Sequence, residues 1–234
     1  MLFRSRLPKV DLSSLKVWTV GAEMVSAASC RSLQEQLAPM GLAPHVLMPG
    51  YGLTETTLAA TCHPRNTPLK TFTLDRKALV AEQVARPAHP GENSAEFTSV
   101  GKALAYCEIR ITGQDGNALP TGRVGIVEVR GDNVIADYFN NPEATETSFN
   151  HDWFSTGDMG FIDAEGDLCI VGRAKEIIIV RGQNYYPADI EHIALSGMEN
   201  AFRLVVVCGV YDPKVGREII LLTQIGRASC RERV

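Results

Sequence analysis

The stretch from Lys16 to Gly52 does most to fix how this chain can fold. Lys16-Val17-Trp18-Thr19-Val20 is brief, apolar and closed by Gly21-Ala22, which is the pattern of a buried strand. Ser26 then offers an N-cap, Leu33 and Leu37 share a face four residues apart, and Gly41 supplies a stop, so the spacing predicts a helix between them. Val46-Leu47-Met48 is a second strand that exits at Gly50-Tyr51-Gly52. Strand, helix and strand in this order predict a parallel α/β sheet, whose ligands gather at the carboxyl ends of its strands.

Beyond Cys62 the pattern breaks. Pro64, Pro68, Pro87 and Pro90 interrupt the segment 62–99, which reads as a surface insertion with one helical candidate, Leu74 to Val84. After Gly101 the chain turns to β. Glu108-Ile109-Arg110-Ile111 and Ile126-Val127-Glu128-Val129-Arg130 alternate at period two around Asp115-Gly116-Asn117, predicting a two-stranded unit with one wet face. Asn141-Pro142 opens a short helix, and Trp153-Phe154 leads into a turn at Thr156-Gly157-Asp158. A hairpin at Ala164-Glu165-Gly166-Asp167 follows, and then a boundary at Gly172 to Lys175. Ile177-Ile178-Ile179-Val180 begins a new sheet, Pro187 starts a helix carrying Ile190, Ile193 and Ala194 that Gly197 stops, and Leu204 to Val207 resumes as strand.

Composition excludes several classes. With 45% hydrophobic and 21% charged residues in 234, the chain is globular material, and a formal net charge of -4 argues against a nucleic-acid partner. The six cysteines, Cys30, Cys62, Cys107, Cys169, Cys208 and Cys230, have no metal-ligand spacing and read as reduced thiols, mostly core filler. His45, His63, His89, His151 and His192 do not converge and read as surface or loop residues. The first residues lack the apolar run of a signal peptide and no segment has membrane-spanning length, so the expected location is cytoplasmic. The basic, aperiodic stretch 226–234 reads as a cloning or read-through junction. Neither a Gly-x-Gly-x-x-Gly nor a Gly-x-x-x-x-Gly-Lys-Ser/Thr motif occurs, which disfavours Rossmann dehydrogenases and P-loop kinases.

Chemistry concentrates in a few places. Glu55 follows glycine-permitted turns at the mouth of the predicted sheet, where a carboxylate suits a hard cation such as Mg²⁺. Asp158 in Thr156-Gly157-Asp158 offers two acceptor oxygens to a diol; its plainer alternative is a turn aspartate bonding its own backbone. Gly172-Arg173-Ala174-Lys175 joins two β units and has the character of a hinge, with Arg173 a fixed fork of donors.

Tyr51-Gly52-Leu53-Thr54-Glu55, Ser155-Thr156-Gly157-Asp158, Gly172-Arg173-Ala174-Lys175 and Arg181-Gly182-Gln183-Asn184-Tyr185-Tyr186-Pro187, taken together, resemble the adenylate-forming superfamily, and within it the fatty acyl-AMP ligases. The resemblance implies that Tyr51 stacks on adenine, Thr54 bonds a phosphate oxygen, Glu55 holds Mg²⁺, and Gly21-Ala22-Glu23 with Gly52 borders the adenine pocket. It further implies that Asp158 grips the ribose, Arg173 makes a second ribose or phosphate contact, and Lys175 is the pivot of the small domain. The implied fold is the C-terminal portion of a large α/β domain, 1–172, a hinge at 173–175 and the start of a small α+β domain, 176–225.

The family's Ser/Thr/Gly-rich phosphate loop and its late lysine are not found, so the expectation is a chain truncated at both ends with little adenylation of its own. The parent reaction implied is activation of a fatty acid with ATP to an acyl-adenylate, followed by transfer to an acyl carrier protein or the carrier domain of a polyketide synthase. The span from Glu55 to Gly101, 101 − 55 = 46 positions, is similar to the ligase-specific insertion that restrains small-domain movement. The alternatives are a long-chain acyl-CoA synthetase and a non-catalytic nucleotide-binding or docking module.

Overall fold

The computed structural model describes residues 10–180, 183–197, 202–212 and 217–226. In chain order the large unit comprises β1 (Trp18–Val20), α1 (Ala27–Leu37), β2 (Leu47–Tyr51), β3 (Thr61–Cys62), β4 (Thr71–Asp75), β5 (Ser94–Ala103), β6 (Cys107–Thr112), β7 (Gly125–Gly131), α2 (Pro142–Ser148), β8 (Phe149–Asn150), β9 (Trp153–Ile162) and β10 (Leu168–Arg173). A 3₁₀ turn, Ala174–Glu176, leads to β11 (Ile178–Val180), β12 (Gln183–Tyr185), α3 (Pro187–Gly197), β13 (Phe202–Asp212) and β14 (Arg217–Gly226). Among the described residues no helix is long and apolar enough to cross a membrane.

The opening β-α-β forms as its residues dictate. Ser26 Oγ accepts from the Ser29 N–H at 3.2 Å and caps α1, and the chain leaves the helix through Ala38–Met40 and a left-handed Gly41. β1 and β2 pair in parallel with Trp18 beside Leu47. Every later pair in the ten-stranded sheet is antiparallel, in the order β1-β2-β3-β5-β10-β9-β7-β6, with β4 on β5 and β8 on β9. The architecture is thus the expected parallel start followed by a β-rich region.

Segment 62–99 departs from the expectation of a surface excursion. β4 runs in full register with β5, which lies inside the sheet, and Leu74, Leu79, Ala95 and Phe97 are buried in one cluster with Val124, Phe161 and Cys169. The helix expected over Leu74 to Val84 shrinks to a single π-type turn, Ala78–Glu82, because strand pairing claims Leu74 and Asp75. The prolines sit in the loops around these pieces.

Two further expectations change. β6 and β7 are no isolated hairpin: β7 also pairs with β9, and Glu128 on the supposedly wet face is 3% exposed, bonded to Asn150 and to Arg110, whose guanidinium lies over the Trp153 ring. Thr156-Gly157-Asp158 is no turn but a bulge within β9. There Glu128 faces Ser155 and Ile126 faces Met159, so three residues stand opposite Val127. Gly157 takes φ 73° at this bulge.

The Asp163–Asp167 hairpin is fastened by Lys70, whose Nζ donates to Asp163, Glu165 and Asp167. Cys30, Cys107 and Cys169 are buried free thiols, Cys62 is half-buried, Cys208 is exposed, and Cys230 lies outside the described residues. His63 proves to be buried rather than superficial, its Nε2 within 3.0 Å of the Pro68 carbonyl and 2.9 Å of Thr67 Oγ1. Of the stretch 226–234, Gly226 ends β14 and the remainder lies outside the described residues.

The small unit forms its own cluster from Ile178, Val205 and Val207 with Ile190 and Ala194 of α3. It is joined to the large unit by more than the turn. Tyr186 enters the large unit's core, 2% exposed and packed beside Gly172, and Arg76 meets Asp189 through two nitrogens at 2.8 and 2.9 Å.

Candidate functional site

The site begins where β2 leaves the sheet. Gly52 lies so close to the returning chain that a Cβ there would sit 2.1 Å from the Leu58 carbonyl oxygen, which no side chain permits. The chain folds back at this point, and Tyr51 points toward the β9 bulge. Its hydroxyl donates to Asp158 Oδ2 at 2.7 Å across 107 positions of sequence. Arg173, opposite Asp158 in the β9-β10 register, donates from Nε to Oδ1 at 3.0 Å. Thr156 Oγ1 accepts from the Asp158 N–H at 3.1 Å and donates to the Val127 carbonyl, fixing the bulge.

These bonds set the electrostatics. Asp158 is 8% exposed, and each of its oxygens holds one protein donor and keeps lone pairs for a diol. Burial, and next the negative charge of Asp158, hold the Tyr51 phenol well above its usual range. Arg173 is raised by its hydrogen bond to Asp158 and stays mostly open to water.

A cavity of about 800 Å³ opens over this group. Ala22, Glu23, Tyr51, Gly52, Asp158 and Arg173 line it, so most of the residues singled out in the sequence share one hollow. The N-terminus of α1, from Ser26 to Ser29, also faces it and contributes a positive end.

Four residues stand apart. Gly21 lies one position behind the lining. Lys175 is exposed on the turn Ala174–Glu176 and does not line the hollow. Thr54 and Glu55 occupy a 3₁₀ turn at Thr54–Thr56 just past the cavity wall, where Glu55 Oε1 accepts from the Tyr138 hydroxyl at 2.8 Å. Arg181 and Gly182 lie outside the described residues.

Sequence reasoning missed the wall supplied by β5 and α3. Glu96 and Thr98 face the cavity from β5, and Glu191 and His192 from α3. Glu96 is held below its ordinary range first by its hydrogen bond to Arg31, and Thr98 Oγ1 is buried without a hydrogen-bond partner among the described residues. The period-two placement of Glu96, Thr98 and Val100 was the available signal, obscured by reading the segment as an insertion.

The wall carries more carboxylates than cations, since Glu23, Glu96, Asp158, Glu176, Asp189 and Glu191 line it with Arg173. A polyphosphate would enter such a hollow accompanied by a cation. Glu55 fits that demand: its Oε2 has no partner among the described residues, and Mg²⁺ is commonly held by one or two carboxylates plus substrate phosphates. Asp163, Glu165 and Asp167 bring three carboxylate oxygens within 4.8 Å of one another, but the ammonium of Lys70 already fills that cluster.

Residues 1–139 match the sequence profile described as AMP-binding enzyme. A putative ligase, Rv1013, of Mycobacterium tuberculosis is 36% identical over 184 residues, 79% of this chain and 34% of that protein. Nonribosomal peptide synthetase apvA of Aspergillus terreus is 37% identical over 77% of this chain and 18% of its own length. The long-chain-fatty-acid–AMP ligase FadD32 of Mycolicibacterium smegmatis is 31% identical over 80% of this chain and 32% of its length. A solved structure from work on fatty acyl-adenylate ligases of E. coli and L. pneumophila superposes with a TM-score of 0.83 at 28% identity, covering 96% of this chain and 40% of that one. The chain therefore spans about a fifth to a third of the length of these curated relatives.

Proposed function

Because the chain belongs to the AMP-binding enzymes, we propose that it forms the ribose and metal side of a fatty acyl-AMP ligase site. In the whole protein a fatty carboxylate oxygen attacks the α-phosphorus of ATP, the bond from that phosphorus to the bridging oxygen of the β-phosphate breaks, and pyrophosphate departs. The acyl group of the resulting adenylate then passes to the phosphopantetheine thiol of a carrier protein, with release of AMP.

The observation that carries this reading is the Tyr51–Asp158–Arg173 group at the wall of one cavity. Asp158 accepts from the ribose hydroxyls and Arg173 holds it in place, while Tyr51 offers a ring face for the purine. Glu55 is the residue that would hold Mg²⁺, which supplies neutralisation of phosphate charge when bound. Catalysis is then mainly alignment and charge compensation. The likeness to fatty acyl-adenylate ligases supports the choice of acid. The similarity to a peptide synthetase favours a second reading, adenylation of another carboxylic acid for a carrier domain; coenzyme A as acceptor is the third.

Calorimetry with a non-hydrolysable dodecanoyl-adenylate mimic, on this chain and on Asp158→Ala, tests the nucleotide site. Binding that the substitution leaves unchanged overturns the assignment. On the full-length enzyme, pyrophosphate release with fatty, aromatic and keto acids, followed by acyl transfer to holo carrier protein or to coenzyme A, separates the three readings.

A further inference from the structure

The turn that bears Thr54 and Glu55 is tied to one stretch of chain, 133–138, by five hydrogen bonds. Asn133 Nδ2 donates to the carbonyls of Thr56 at 3.0 Å and Ala59 at 3.1 Å. Thr57 Oγ1 donates to the Asn133 carbonyl at 2.8 Å. The Ile135 N–H donates to the Glu55 carbonyl at 2.9 Å, and the Tyr138 hydroxyl to Glu55 Oε1 at 2.8 Å. The stretch is itself anchored, since the Val134 N–H reaches the Gly131 carbonyl at the end of β7 and the Tyr138 N–H reaches Thr145 Oγ1 on α2.

The turn needs such fastening. Thr57 adopts φ 66° and ψ −47°, a conformation that β-branched residues avoid and that persists only where neighbours over-determine it. Asn133 suits the task because two carbonyls converge on it and its amide nitrogen carries two donors without adding charge. With Oε1 engaged by Tyr138, the Glu55 carboxylate is held in one orientation with Oε2 open.

We propose that Asn133 and Tyr138 are positioning residues that hold the Thr54–Glu55 turn and leave Glu55 Oε2 to take the cation that accompanies ATP. The proposal rests on the reading of Glu55 as the metal-holding residue. It extends the site to a third part of the chain, and neither residue touches the nucleotide cavity.

Tyr138→Phe removes the hydroxyl and keeps the ring, and Asn133→Leu removes the double donor. Hydrogen exchange of the amides of Thr56 and Thr57, which close the turn onto Leu53 and Thr54, should quicken about tenfold in each variant, the worth of one hydrogen bond to a charged or strained group. Exchange in the β9-β10 hairpin should not change. ATP affinity measured with Mn²⁺ and again with EDTA gives a metal-dependent gain, expected to fall about tenfold in Tyr138→Phe while affinity in EDTA stays the same. A gain that survives intact, or that rises because Glu55 is freed, overturns the proposal, as does unchanged exchange in both variants. Absence of any gain in the parent chain fails the metal reading of Glu55 instead, and exchange alone then decides whether 133–138 holds the turn.

Discussion

Lys70 shows how much one side chain can settle. Its ammonium faces three carboxylates, two of them largely buried, so removing it leaves like charges facing one another in the Asp163–Asp167 hairpin. Burial alone would lower Lys70, but Asp163, Glu165 and Asp167 override it and raise the ammonium. Burial alone would likewise raise Asp163, yet Lys70 and the backbone N–H groups of Asp167 and Glu165 hold it below its usual value. A depressed carboxyl stabilises above its unfolded value, about 4, and loses that contribution as pH falls through the folded one; a raised ammonium stabilises below about 10.4 and loses it as pH climbs through its folded value. Lys70→Met should therefore cost about 2 kcal/mol in urea unfolding, steady from about pH 5 to about pH 9 and shrinking below about pH 4. At the same scale, Tyr51→Phe removes a hydrogen bond to a buried carboxylate and should cost about 1–2 kcal/mol by the same measurement.

Elements whose ends carry their own chemistry were legible in the sequence. Ser26 caps α1, and Asn141 caps α2 by accepting from the Ala144 N–H at 3.1 Å, both as the residues foretold. Replacing either by Ala should lower stability by about 1 kcal/mol, read from thermal unfolding. β4 and β5 were illegible for a physical reason: flanking prolines mark loops, and nothing local says that Thr71 to Asp75 pairs with a strand about twenty residues on. Register between strands is a long-range fact, and it overrode the weak helical bias of Leu74 to Val84. The β9 bulge was hidden in the same way, since a Thr-Gly-Asp tripeptide cannot announce whether its glycine ends a strand or kinks one. The candidate site divides along this line. Tyr51, Asp158 and Arg173 were found by their motif, whereas Glu96, Thr98, Asn133 and Tyr138 enter only once the sheet brings distant strands together.

For the whole molecule, the relation between the two units turns on two contacts. The Arg76–Asp189 pair is mostly buried, and breaking it with Arg76→Ala should cost about 2 kcal/mol of docking and speed tryptic cleavage at Lys175 relative to sites in the large unit. Unchanged cleavage would show that the small unit is held without it. Tyr186 gives the second contact. Its phenol is pushed up to about 12 by burial, and its hydroxyl has no hydrogen-bond partner among the described residues. Because that ring completes a core otherwise made by Leu74, Phe97, Phe161 and Val171, expressing residues up to 173 alone would leave a greasy socket facing water. Such a shortened protein should clump in the cell, and a preparative boundary belongs well past Tyr186, not at the joint where the sequence invites the cut.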